Sequence, residues 1–144
     1  MAMTKTSASS PRPLNGAIVR KYVAAGAGVI GDDVYINAND QAALARGNAA
    51  ATAWGKGIVV AIEGHMPGTS FVAGQTISVQ VHGPIAGWTG MDNTKAIYGS
   101  SATAGALTQT APAGASTWTH VMGYPIRSDV WFIDPTNTPP TANS

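Results

Sequence analysis

Apolar and polar residues alternate with a period of two along several short stretches of this chain, and Gly, Pro, Asn and Ala separate the stretches. The clearest case is Thr76–His82, where Ile77, Val79 and Val81 fall on one side and Thr76, Ser78, Gln80 and His82 on the other. Successive side chains of a strand point to opposite faces, so the pattern predicts a half-buried strand. Asp33–Asn37 has the same grammar, with Val34 and Ile36 opposed to Asp33, Tyr35 and Asn37. The run Asn37-Ala38-Asn39-Asp40 carries side chains that bond their own backbone in turns. Gln41–Arg46, with Leu44, is therefore expected to return as the second strand of a hairpin. Ile58–Ile62 is almost continuously apolar and reads as a buried strand. Further strands are predicted at Ala17–Val23, Lys95–Tyr98, Ala106–Thr110 and Val130–Ile133, and at Trp118–Ile126 with breaks at Gly123 and Pro125.

Breaker residues fill the gaps. Gly83-Pro84 is expected to end the Thr76–His82 strand or to place a bulge at an edge. Trp88 lies between Gly87 and Gly90 and is expected on a turn. His65–Gly68 reads as a loop around Pro67. Asn48–Ala53 is long enough for one helical turn, too short to be stable alone. No long segment has helical periodicity. The predicted class is all-β, a small β-sandwich or barrel.

The two ends read differently from the middle. Residues 1–16 are rich in Ser, Thr and Pro, and Pro11 and Pro13 remove backbone donors and favour extended conformations. An extended N-terminal arm is expected there, ordered where a partner holds it, ahead of a β domain at 17–135. Residues 136–144, with Pro139-Pro140, read as a flexible C-terminal tail.

At 144 residues the chain is one domain's length and can bury a core without cross-links. It has no cysteine, which excludes a disulfide scaffold, a thiolate metal site and a cysteine nucleophile. Charged residues are only 10% of the chain and nearly balanced, which argues against a disordered chain and against a nucleic-acid partner. No apolar run approaches the ~20 residues needed to span a bilayer, so no membrane partner is expected. Without an apolar leader in its first residues, the product is expected in the cytoplasm when made. Lys5, Arg12, Arg20 and Lys21 precede the first acid, Asp32, and from there on seven acids face four bases. A cationic arm ahead of a mildly acidic body can be steered to an anionic surface.

Candidate chemistry is thin. His65, His82 and His120 show no metal-ligand spacing. Asp32 and Asp33 would point to opposite faces of a strand, and one of them is expected to close the turn after Gly31 by accepting backbone hydrogen bonds. Gly26-Ala27-Gly28 lacks the following helix that a dinucleotide site requires. No catalytic residue, metal or cofactor is expected. Trp54, Trp88, Trp118 and Trp131 are core anchors or interface contacts. Trp88 is favoured as a contact. Trp131 and Phe132 are adjacent in a strand, so one of them faces away from the core and is free for a neighbouring subunit.

The chain resembles the tailed-phage capsid decoration, or cement, proteins. The resemblance rests on Gly31-Asp32-Asp33-Val34-Tyr35, Gly57-Ile58-Val59-Val60 and the Val79–Gly87 stretch. It continues through Ile97-Tyr98-Gly99-Ser100, Gly105-Ala106-Leu107-Thr108, Val121–Ile126 and Ile133-Asp134-Pro135, and so spans Ala17 to Pro135. It implies a non-enzymatic virion protein on the outer surface of the mature capsid, partnered with the major capsid protein and often a homotrimer. The N-terminal arm, with Lys5, Pro11, Arg12, Pro13, Arg20 and Lys21, would contact the capsid, and its removal would lower occupancy without unfolding the body. Trp88, Trp131 and Phe132 are the candidate subunit-interface aromatics. Two rivals stand beside this reading: a head- or tail-fibre domain that binds a host receptor or glycan, and a small enzyme whose histidines converge.

Overall fold

The computed structural model describes residues 3–64 and 68–144. The N-terminal segment contributes β1 (Thr4–Lys5) and β2 (Arg12–Pro13), and β3 spans Ile18–Ala24. Then come β4 (Gly28–Val29), the hairpin β5 (Asp33–Ile36) and β6 (Gln41–Leu44), one helical turn α1 (Ala50–Ala53) and β7 (Gly57–Ile62). After β8 (Ser70–Phe71) runs the long β9 (Thr76–Ala86), followed by β10 (Trp88–Thr89), β11 (Ile97–Gly99) and β12 (Leu107–Thr108). The chain finishes with β13 (Trp118–Thr119), β14 (Val121–Arg127), β15 (Val130–Ile133) and β16 (Thr141–Ala142). The protein is all-β.

β9 organises everything else. Its 11 residues span about 36 Å at strand rise, long enough to serve two sheets. Its first half pairs with β3 on one side and β7 on the other. The chain of pairs β9–β3–β6–β5–β7 returns to β9 and closes a five-stranded barrel. The β3–β6 pair is parallel and the other pairs of the ring are antiparallel. Ala24, Val34, Ala42, Val59, Phe71, Ile77 and Val79 fill this barrel. The second half of β9 pairs with β15, which continues through β14 and β11 to β12. A second core, with Ile58, Ile85, Trp88, Met122, Trp131 and Ile133, lies under this sheet.

Both halves of β9 fit in one strand because Val81 forms a bulge: Ile18 pairs with His82 and Val19 with Gln80, leaving Val81 unpaired between them. The bulge breaks the alternation expected over Thr76–His82. Ile77 and Val79 are buried as predicted, but Gln80, assigned to the polar face, is buried too. Its Nε2 donates to the carbonyls of Gly83 and Pro84 at 3.1 and 2.9 Å. Gly83-Pro84 does not end the strand. Pro84 lacks only a donor; its carbonyl still accepts from the Leu14 N–H at 3.0 Å. Pro125 is likewise carried within β14, paired with Trp131, and the break in the Trp118–Ile126 stretch falls at His120 instead.

The hairpin is as expected: Asn37 Oδ1 accepts from the N–H groups of Asn39 and Gln41, and Val34, Tyr35 and Ile36 pair with Leu44, Ala43 and Ala42. The loop expected at His65–Gly68 begins with residues 65–67, which lie outside the described residues, His65 included.

Both expected loose ends lie on the body. Thr4–Lys5 pairs with Thr89–Trp88, and Arg12–Pro13 pairs with Ala86–Ile85. Between them, the Thr6 N–H and the Ser10 hydroxyl both donate to the Gly87 carbonyl, at 2.8 and 2.6 Å. Pro11 is buried against Gly31 and Gly87. Gly87 has φ +124°, and a Cβ there would come within 2.5 Å of Pro11 Cα, so only glycine lets the segment approach this closely. At the other end Thr141–Ala142 pairs with Thr119–Trp118, and Asn143 Nδ2 donates to Pro112 O, Thr117 Oγ1 and Thr119 Oγ1, each at 3.0 Å.

Candidate functional site

The pairing register sorts the candidate aromatics. Trp131 is fully buried, and Trp88 is 4% exposed with its ring edge-on to Trp131 at 5.8 Å. Both belong to the second core of this chain. The expected turn at Trp88 is a strand, and its pairing with Lys5 folds the indole under the N-terminal segment. Alternation in β15 then turns Phe132 outward, where it stacks on Tyr124 at 5.6 Å and meets His82 edge-on at 5.0 Å. Tyr124 is 50% exposed. Ile18 lies beside His82 in register and is also exposed. Tyr124, Phe132, His82 and Ile18 thus form a row across β14, β15, β9 and β3, which are neighbours in that order. Ile126, the bulged residue between Pro125 and Arg127, is exposed near one end of the row. Reading Gly123 and Pro125 as strand breaks hides Tyr124 and Ile126 in the sequence.

The predicted contact cations also separate. Lys5 turns inward, its Nζ donating to the Ile30 carbonyl at 2.8 Å. Lys21 pairs with Glu63 at 3.0 Å, both exposed. Arg12 and Pro13 are exposed on β2 and Pro11 is buried, so Lys5 and Pro11 hold the segment to the body. Arg20 is exposed on β3 and lines a groove of about 390 Å³ at one end of the barrel. Tyr22, Ile36 and Val81, which pack on the barrel core, form its apolar lining. Lys56, His82 and Asp134 also line it, and Lys56 Nζ sits 4.7 Å from the centroid of the Trp54 ring. Among the described residues, neither Arg20 nor Lys56 forms an ion pair.

The adjacent carboxylates have unlike surroundings. Asp32 Oδ2 accepts from the Val29 N–H at 2.8 Å and closes the turn around Gly31. Burial raises its pKa, opposed by that hydrogen bond and by the Lys5 charge. Asp33 is buried beside Gly55 and Gly99, and among the described residues neither of its oxygens has a hydrogen-bond partner. Burial, and then the Asp32 charge, hold its pKa well above the carboxylate range. His120 is buried, and its Nε2 donates to the Thr136 carbonyl at 2.9 Å; burial lowers its pKa. Among the described residues, no three His, Asp or Glu side chains are grouped so as to hold a metal.

The fold and surface define a class: a closed β-barrel fused to an antiparallel sheet, with an aromatic row on the outer face. Compared with protein-family models, with curated proteins and with solved structures, the chain matches none.

Proposed function

We propose that this protein is a capsid decoration protein, which binds the outer surface of a mature tailed-phage head as a homotrimer and reinforces it. The observation that carries the reading is the row Tyr124–Phe132–His82–Ile18, in which Tyr124, His82 and Ile18 are exposed and Phe132 is half-buried between the Tyr124 and His82 rings. Aromatic side chains of this kind anchor protein interfaces when a partner removes them from water. The resemblance of the Ala17–Pro135 phrases to decoration proteins supplies the partner, the major capsid protein. A ligand that binds one state of a lattice and not the other stabilises that state by mass action. Many copies touching several subunits each gain further through effective concentration.

The test is co-sedimentation with purified shells before and after expansion. Saturable binding to expanded shells is expected, and it should fall sharply for Tyr124→Ser/Phe132→Ser. Equal binding to both shells, or an unaffected variant, contradicts the reading. The stacked rings of Tyr124 and Phe132 also suit a sugar face, so a head- or tail-fibre domain that binds a host glycan is the second reading.

A further inference from the structure

We infer that the groove at the end of the barrel receives an acidic side chain, an aspartate or glutamate on a segment of the protein surface to which this chain docks. The inference rests on the decoration reading for the identity of that surface, but the chemistry of the groove stands apart from it. Of the four cations that precede Asp32, Lys5 is bound to the Ile30 carbonyl and Lys21 to Glu63. Arg12 donates to the Ser10 carbonyl at the long distance of 3.5 Å. Arg20 has no acidic partner among the described residues and projects into a recess that Lys56 shares. The two cations come from sites far apart in sequence, and nothing in the chain's local pattern pairs them.

Tyr22, Ile36 and Val81 line the same recess, and apolar walls strengthen a Coulomb attraction compared with open water. A carboxylate entering there would meet a guanidinium, whose fork suits two oxygens, and an ammonium. The charge pattern selects among occupants. A second copy of this face would bring cation against cation. A polyanion would meet Asp134, which lines the same groove. One carboxylate on an otherwise neutral or apolar segment fits both constraints. The volume of about 390 Å³ lies within the ~300–1,000 Å³ typical of ligand pockets.

The experiment titrates the full-length, nitrogen-labelled protein with an end-blocked pentapeptide that carries one glutamate among glycines, and follows amide and indole resonances. Shifts are expected at Arg20, Tyr22, Lys56 and the Trp54 indole, fading with added salt. Arg20→Gln/Lys56→Gln should weaken binding about tenfold or more, and Arg127→Gln should not. Shifts scattered over all the surface cations, unchanged affinity in the double variant, or tighter binding of a dinucleotide or of glucuronate would overturn the inference. Capsid occupancy separates the two readings. A double variant that loses the single-glutamate peptide but still decorates shells removes the groove as a docking contact and leaves the decoration reading standing. A wild-type chain that binds this peptide through these residues but is missing from the virion does the reverse.

Discussion

Trp131 and Phe132 are neighbours in β15 with opposite duties. Trp131 fills the second core, and replacing it with Ala should cost about 3–5 kcal/mol, a large part of a small domain's stability. Tyr124 is half-exposed and stacked on Phe132, so Tyr124→Ser should cost only about 0.5–1.5 kcal/mol in urea unfolding while weakening shell binding. Alternation in the sequence requires that one of Trp131 and Phe132 face outward. Which one depends on the side from which β15 meets the barrel, and that lies in the tertiary pairing. Asp33 makes a sharper residue-scale prediction. Its folded pKa lies above the ordinary 3.8, so its contribution to stability is fully present below about that pH and is lost as pH rises toward the folded value. Asp33→Asn should therefore gain stability over wild type progressively above pH 3.8, with the two converging in acid. Comparing urea midpoints as a difference cancels the distant carboxylates and leaves Asp33 with its coupled neighbour Asp32. A constant difference across pH would show that folding leaves the Asp33 pKa unchanged, and a wild type that gains on the variant as pH rises would show a paired, ionised Asp33.

At the level of elements, short-range grammar was legible and long-range pairing was not. The β5–β6 hairpin follows from alternation and turn chemistry, and β15 from an apolar run that Asp134-Pro135 stops, signals that act over a few residues. The ring β9–β3–β6–β5–β7 joins strands far apart in sequence, and no local pattern specifies its closure. The burial of Gln80 shows the same limit, since its side chain is covered by the second half of β9, where it bonds the Gly83 and Pro84 carbonyls. The N-terminal segment is the largest departure. Ser, Thr and Pro read as an arm that a partner holds, whereas Thr4–Lys5 pairs with β10, Arg12–Pro13 with β9, and Thr6 donates to Gly87 of the same chain. Deleting residues 1–13 should thus lower the unfolding midpoint as well as any capsid occupancy, because it uncovers Trp88. Gly87→Ala should mimic part of this loss, at about 1–3 kcal/mol, through strained φ and collision with Pro11. An unchanged midpoint for the deletion would mean that the segment contributes nothing to the body.

At the scale of the whole molecule, Ile18, Val19, Tyr124 and Ile126 are exposed on the β body, and on the proposed reading docking to a partner would remove them from water. The candidate site was partly legible: Arg20 and Phe132 carry sequence signals, but Lys56 is a lone cation after Trp54 and joins Arg20 only through the fold. The measurement that bears most directly on the central claim is the copy number of this protein per purified virion, by quantitative mass spectrometry against the major capsid protein. The decoration account predicts hundreds of copies in a fixed ratio to the shell subunit, a scale set by a lattice of sites. A handful of copies would place the protein on a fibre or tail, and none at all would contradict a virion role.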